Sequence, residues 1–403
     1  MFRQIQWIAL TQFPAFFLPA ILTPIMAQRL GISGFSSFIV LTGICQYTTL
    51  GIELGLNHAA VSQLSRTACV ENRKLIFSEV FYLKAALSLV LCILISLVVG
   101  YSAVAKMAST AEMAILLLGP SLTCVTFPAW FFTSMNRQDL IFRINFISRL
   151  ILVGLCLWLI QGPTDYLLGA VLFNYAMVPL SIFYSRNWTS HILPLREIRF
   201  FNLKKRLVDG LMLSGVMLKE TVMNIGVAPL YGVLVTDSTL GIYAFAEKIG
   251  KTIVAPAPSV ANVLMVNSAN NQAGWPWSRV SDKRLWLTFA LIVVAACIFF
   301  AIAIELVVRH FFGRFTDSIP LIYIIVSVSP IVYFNHIEIA LTFTGKGKFS
   351  TATLFAYVHM VALSISAVIL SQFFGSRGLS GALVLPELVL AALLLKHKKL
   401  KQV

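Results

Sequence analysis

Charge is scarce in this chain: only 12% of its 403 residues are Asp, Glu, Lys or Arg, about half the share in an ordinary soluble domain. Long polar stretches are scarcer still. The loops on one side of the apolar runs are too short for a periplasmic catalytic domain, and no soluble basic domain is present to carry nucleic acid. Six cysteines show no metal-type spacing; Cys45, Cys92, Cys124, Cys156 and Cys297 lie within apolar runs, as small core hydrophobes do. Gly345-Lys346-Gly347-Lys348 lacks the spacing of a phosphate-cradling loop, so ATP hydrolysis is not expected.

What fills the sequence instead is apolar: 58% of the residues are hydrophobic. A helix needs about 20 such residues to cross the roughly 30 Å of bilayer hydrocarbon. Twelve runs qualify, at 7–27, 36–57, 79–100, 113–134, 142–161, 165–185, 210–235, 240–265, 285–308, 318–342, 350–372 and 378–395. The first is too long for a signal-peptide core and is expected to be a helix. Of the 31 Lys and Arg residues, five fall well inside these runs and five in alternate loops (Arg29, Lys106, Arg309, Arg314 and Arg377), leaving 21 on the other side when Arg143, at the very start of its run, is counted with the loop before it. Because short basic loops stay in the cytoplasm, both termini are expected inside. The net charge of +15 then faces anionic lipid head groups rather than nucleic acid.

The longest polar segment, Ser185 to Asp209, follows the sixth run and carries Lys204-Lys205-Arg206. We therefore expect an N-terminal six-helix bundle over 1–188, a cytoplasmic linker over 189–209 and a C-terminal six-helix bundle over 210–403. At an offset of 210 residues Leu30-Gly31-Ile32 aligns with Leu240-Gly241-Ile242, Pro19 with Pro229 and Pro120 with Pro330. The fold class expected is thus an all-α polytopic membrane protein of about 12 transmembrane helices in two pseudo-symmetric bundles. Parallel repeats of this kind can rock about a central cavity, and proline-broken helices supply the bends. Pro14, Pro19 and Pro24 interrupt the first run, Gly226 and Pro229 the seventh, and Pro256 and Pro258 the eighth. Pro19 and Pro229 are the gating candidates.

Ionisable groups in a span cost about 2.5 to 3.5 kcal/mol each near its centre and persist where they pair or line a pathway. Lys219 and Glu220 lie close to mid-membrane in the seventh run; Glu247, Lys248 and Lys251 follow in the eighth. Glu247 can reach Lys251 at i,i+4. Three lysines against two carboxylates leave one positive charge, which suits an anionic head group. Arg149, beside Ser148 and on one face with Asn145, either lines the same path or snorkels inward, and snorkelling is expected for Lys84. Glu53 and Glu338 sit near the inner ends of their helices, where anchoring competes with gating. Glu387 follows Pro386 near the middle of the last run; buried carboxylates there exchange H⁺ or bind Na⁺. His336 and His359 are expected as hydrogen-bonded core residues. The clusters Phe127-Pro128-Ala129-Trp130-Phe131-Phe132 and Trp275-Pro276-Trp277 are expected in the interfacial belt, with stacking on sugar rings the alternative.

Several stretches resemble one family: Leu30-Gly31-Ile32-Ser33-Gly34-Phe35, the helix end Gly51-Ile52-Glu53-Leu54-Gly55-Leu56-Asn57, the Phe127–Phe132 cluster, and Leu240-Gly241-Ile242-Tyr243 leading to Ala246-Glu247-Lys248-Ile249. Together they resemble bacterial polysaccharide flippases of the O-antigen (Wzx) type, in the larger group with multidrug exporters and the lipid II flippase. After Trp130 the chain departs from the family's Gln-Gly type of turn with Thr133-Ser134-Met135-Asn136-Arg137. The resemblance implies a MATE-like fold and movement of an undecaprenyl-diphosphate-linked oligosaccharide from the cytoplasmic to the periplasmic leaflet of the inner membrane. By matching position it carries over Glu53, Trp130, Glu247 and Lys248. The expected substrate contacts are Lys219, Lys248, Lys251, Arg149, Asn145 and Trp130, with Glu220, Glu387 or Glu247 coupling transport to H⁺ or Na⁺ and no other cofactor. Expected partners are the lipid-linked substrate, membrane lipids and other polysaccharide assembly proteins. A drug exporter of the same fold and a membrane glycan polymerase or ligase are the competing classes.

Overall fold

In the computed structural model the described residues are 2–67, 69–135, 137–186, 192–198, 200–234, 239–254, 257, 261, 283–344 and 349–400. Every element among them is helical. Nine segments among the described residues are long and apolar enough to cross a membrane. They match the expected runs from the second to the sixth and from the ninth to the twelfth. The first run is fused to the second in α1 (Phe2–Glu53), interrupted only at Gly31, where φ 65° and ψ −174° mark a turn between the two runs. Pro14 and Pro19 lie in this helix with side chains outside the described residues, as are Pro256, Pro258, Trp275, Pro276, Trp277 and 345–348 altogether.

The chain forms two compact units, Met1–Ser238 and Thr239–Val403. In the first, α1 ends at Glu53 rather than running on to 57, because Leu54 and Gly55 take positive φ (33° and 73°). The chain restarts as α2 (Leu56–Arg66), followed by α3 (Val70–Gly100) and α4 (Thr110–Thr126). A capping box starts α4: the Ser109 hydroxyl accepts from the Glu112 amide while the Glu112 carboxylate accepts from the Ser109 amide. Phe127 and Pro128 break it from α5 (Ala129–Ser134); α6 (Gln138–Leu159), α7 (Tyr166–Tyr175) and α8 (Val178–Ser185) follow. At the end of α6 the last carbonyls lack intrahelical donors. Arg29 supplies them, donating to Leu157 and, at 2.6 Å, to Ile160. The helix α9 (Phe200–Ile225) and its continuation α10 (Ala228–Leu234) pack in this unit against α1, α2 and α3. They are separated at Gly226, whose φ of 97° ends the helix.

The second unit comprises α11 (Leu240–Gly250), α12 (Lys283–Phe311), α13 (Ile319–Ser327), α14 (Ser329–Ile339), α15 (Phe349–Phe374) and α16 (Ser376–Leu400). A tight turn at Gly375 (φ 57°) joins α15 to α16, which pack along their lengths; α11, α13 and α14 also pack on α16.

Polarity is distributed as a lipid solvent demands. On α3, Leu89, Ile93 and Leu97 are more than half exposed, whereas Lys84, Ser88 and Ser96 are buried. Leu291, Ile292 and Phe299 of α12 likewise face outward. Such continuous apolar exposure is not tolerated in water.

Candidate functional site

Three helices of the second unit bring three polar side chains to one fully enclosed point. Asn335 comes from α14, His359 from α15 and Glu387 from α16, all at most 1% exposed. His359 Nε2 lies 2.9 Å from Glu387 Oε1, and Asn335 Nδ2 donates to Oε2 at 2.6 Å and to the Glu387 carbonyl at 2.9 Å. Both carboxylate oxygens thus have a nitrogen within hydrogen-bond distance, which offsets the cost of burying the group. The Asn335 Oδ1 is buried and accepts no hydrogen bond among the described residues. The three side chains join three helices at one enclosed point, so a change in any of these hydrogen bonds is felt by all three. The group can therefore bias the packing of α14, α15 and α16.

The hairpin cations are placed element by element. In the second unit Glu247 is buried on α11 and holds the Lys251 ammonium at 2.8 Å, the i,i+4 pair that the spacing predicts, while Lys248 is half-buried. In the first unit Lys219 of α9 is 2% exposed, and the side chain of Glu220 lies outside the described residues. Arg149 and Asn145 are half-buried on α6, with the Ser148 hydroxyl donating to the Asn145 carbonyl at 3.0 Å. Glu53 accepts from Asn57 Nδ2 at 2.7 Å, and Glu338, 3% exposed, from the Thr342 hydroxyl at 2.8 Å. Pro229 is buried where α10 meets α1; a side chain at Gly43 would overlap its ring.

Two expectations are corrected. Lys84 does not snorkel: it is 2% exposed and donates to the Cys124 carbonyl at 3.4 Å. That carbonyl's helical donor would be the amide of residue 128, and Pro128 has none. The Phe127–Phe132 cluster is not an interfacial belt either. Trp130, Phe131 and Phe132 are buried in a core with Phe77, Ile76, Leu64 and Ile144; the Trp130 ring is 5.4 Å from Phe77.

Sequence reasoning did not foresee the cluster that ties the basic linker to the first unit. Glu79, fully buried on α3, accepts from Arg206 Nε and from Asn202 Nδ2 at 2.9 Å; Arg206 also donates to Gln63 of α2. Its signal was a basic run opposite an acidic residue at the start of an apolar run, which charge counting by loop averages away.

The polysaccharide biosynthesis protein family model matches residues 1–265. The chain belongs to that family. No curated protein matches it in sequence. Among solved structures, the family member resembles the lipid II flippase MurJ in its inward closed conformation, with TM-score 0.73 and 14% identity over 98% of this chain and 87% of that one. It also resembles an inward-facing multidrug resistance MATE family transporter of the MOP superfamily, with TM-score 0.62 and 15% identity over 99% and 98% of the two chains. A third likeness is to the MATE multidrug transporter DinF-BH, at TM-score 0.62 and 16% identity over 98% and 95%. At such identities the likeness is one of fold. It makes this family member a multi-pass membrane protein with the MurJ and MATE architecture.

Proposed function

We propose that this protein is a flippase moving an undecaprenyl-diphosphate-linked oligosaccharide from the cytoplasmic to the periplasmic leaflet of the bacterial inner membrane, driven by an H⁺ or Na⁺ gradient, with both termini cytoplasmic. The observation that carries the reading is a polysaccharide biosynthesis chain wearing a transporter fold. The diphosphate and sugars cannot enter hydrocarbon unaided, whereas the lipid tail remains in it throughout. Shielding the head group therefore requires cations inside the protein, and Lys219, Lys248, Arg149 and Lys251 are the ones assigned to it. Asn145 is assigned to the sugars, whereas Trp130, buried against Phe77, has no face free to stack on one. The 1–188 and 210–403 bundles supply the alternating motion, bent at Pro19 and Pro229 and gated at Glu53.

Coupling is assigned to Glu387, with Glu220 and Glu247 as the other carboxylates in play. Support comes from its complete burial and its His359 and Asn335 partners. Deletion of the gene is expected to leave lipid-linked repeat units on the inner leaflet and to abolish surface glycan. Normal glycan in a strain with no substitute transporter defeats the reading. In vesicles, Glu387→Gln is expected to remove the response of transport to an imposed cation gradient while substrate binding persists; an undiminished response removes Glu387 from that role.

The likeness to multidrug transporters favours a second reading, a drug exporter. It requires loss of drug resistance on deletion, with surface glycan intact.

A further inference from the structure

Far along the chain from the Glu387 triad, a cavity of about 230 Å³ opens where α2 ends, α3 begins and α5 ends, lined by Leu64, Arg73, Phe131, Ser134 and Met135. Its chemistry is divided. The floor is apolar: Phe131 is fully buried and meets Phe77 edge-on at 5.0 Å, so its position is set by the aromatic core beneath. The polar side is the Arg73 guanidinium together with Ser134, whose hydroxyl is spent on the Phe131 carbonyl at 2.7 Å. Arg73 Nε donates to the Thr67 carbonyl at 2.7 Å. That carbonyl belongs to the residue ending α2, itself fixed by its amide on Leu64 at 3.1 Å and its hydroxyl on Gln63 at 2.8 Å. One edge of the guanidinium is thereby anchored. The Nη1 and Nη2 groups make no hydrogen bond among the described residues, although the side chain is only half exposed.

A planar fork with a fixed orientation and two uncommitted donors recognises a tetrahedral or planar oxyanion bidentately. A cavity with such a fork on one side and Leu64, Phe131 and Met135 on the other suits an anion that carries an apolar chain. Under the orientation proposed above, on which this placement rests, the ends of α2 and α5 and the start of α3 lie at the cytoplasmic head-group level, where the abundant oxyanion is phosphate. We propose that this cavity is a cytoplasmic-side binding site for a phosphoryl group borne on an apolar chain, held by Arg73 and seated on Phe131 and Met135. Two lipids carry that chemistry: the polyprenyl diphosphate of the transported substrate, which would load here, and the anionic phospholipid of the surrounding leaflet.

The test uses the purified full-length protein in nanodiscs, with binding read by native mass spectrometry for undecaprenyl diphosphate, phosphatidylglycerol and undecaprenol. Arg73→Gln is expected to weaken binding of the phosphorylated lipid about tenfold or more, as loss of a charged bidentate contact should. Met135→Trp fills the cavity without touching the charge and is expected to do the same. It carries the test if Arg73→Gln alters the melting temperature. Inorganic pyrophosphate should compete with the wild type and not with Arg73→Gln. A loss confined to undecaprenyl diphosphate supports the site and assigns it to substrate; a loss shared with phosphatidylglycerol supports it and assigns it to bulk lipid. Unchanged binding in a folded variant, or equal binding of undecaprenol, overturns it. Binding is measured without transport, so a deletion strain with normal surface glycan would refute the flippase reading and leave this result standing.

Discussion

Three prolines, two inside helices and Pro128 just past the end of α4, each remove one amide, and in each case a side chain from a neighbouring helix answers the carbonyl left behind. Pro120 orphans Leu116, whose oxygen is 3.7 Å from the Cys45 thiol; Pro128 orphans Cys124, met by Lys84 at 3.4 Å; Pro386 orphans Ala382, met by the Ser366 hydroxyl at 3.1 Å. In lipid no water is available to do this, so the donors are structural. Ser366→Ala is expected to cost about 1 kcal/mol of stability in mixed-detergent unfolding. In a Pro386→Ala background the same change should cost close to nothing, since residue 386 then supplies its own amide; equal costs in both backgrounds would refute the account. Residue types in apolar runs announced these positions, and Glu387 and His359 stood out for the same reason. That they meet was not legible, because it depends on how α15 and α16 are rotated about their axes.

At the scale of elements, apolar length identified the spans and glycine and proline identified their breaks. Gly31, Gly226 and Gly375 all lie at positive φ where the chain turns or interrupts a helix. What length alone misjudged was continuity: α4 and α5, or α7 and α8, are read as unbroken runs although each is two helices. Tyr47 on α1 donates its hydroxyl to the Gly226 carbonyl at 2.6 Å, so the break in the seventh run is held as well as permitted. Gly226→Ala forces a side chain into the left-handed region, at about 1–2 kcal/mol. Gly43→Val, which drives a side chain into the Pro229 ring, should cost about 1–3 kcal/mol, on the order of other overpacked sites. Pro229→Ala is expected to recover part of the latter loss and none of the former, read as folded yield and melting temperature in detergent.

For the whole molecule, the basic residues serve two purposes that counting cannot separate. Most of the cations in the basic loops are proposed to set orientation. Cys69, the one exposed cysteine among the six, tests it: an impermeant maleimide should modify it only after spheroplasts are permeabilised, and modification of intact spheroplasts would invert the topology. Arg206, by contrast, is committed to a buried carboxylate. Arg206→Ala strands Glu79 without its ion-pair partner and should lower stability by about 3–5 kcal/mol, whereas Glu79→Leu combined with Arg206→Met should recover much of it. If the double variant is as unstable as the single, the cost does not come from the stranded charge.

The sequence by itself determined that the chain lives in a membrane, roughly where its helices run, and which residues are too polar for hydrocarbon. Those properties are local: transfer free energy, loop charge and backbone freedom are set residue by residue along the chain. Only the tertiary structure decided which polar groups satisfy one another. The Asn335–His359–Glu387 group, the Lys84 contact with Cys124, the Glu79–Arg206 pair and the Arg73 cavity each join residues from separate helices or loops, and low-dielectric packing fixes partners that linear spacing leaves open.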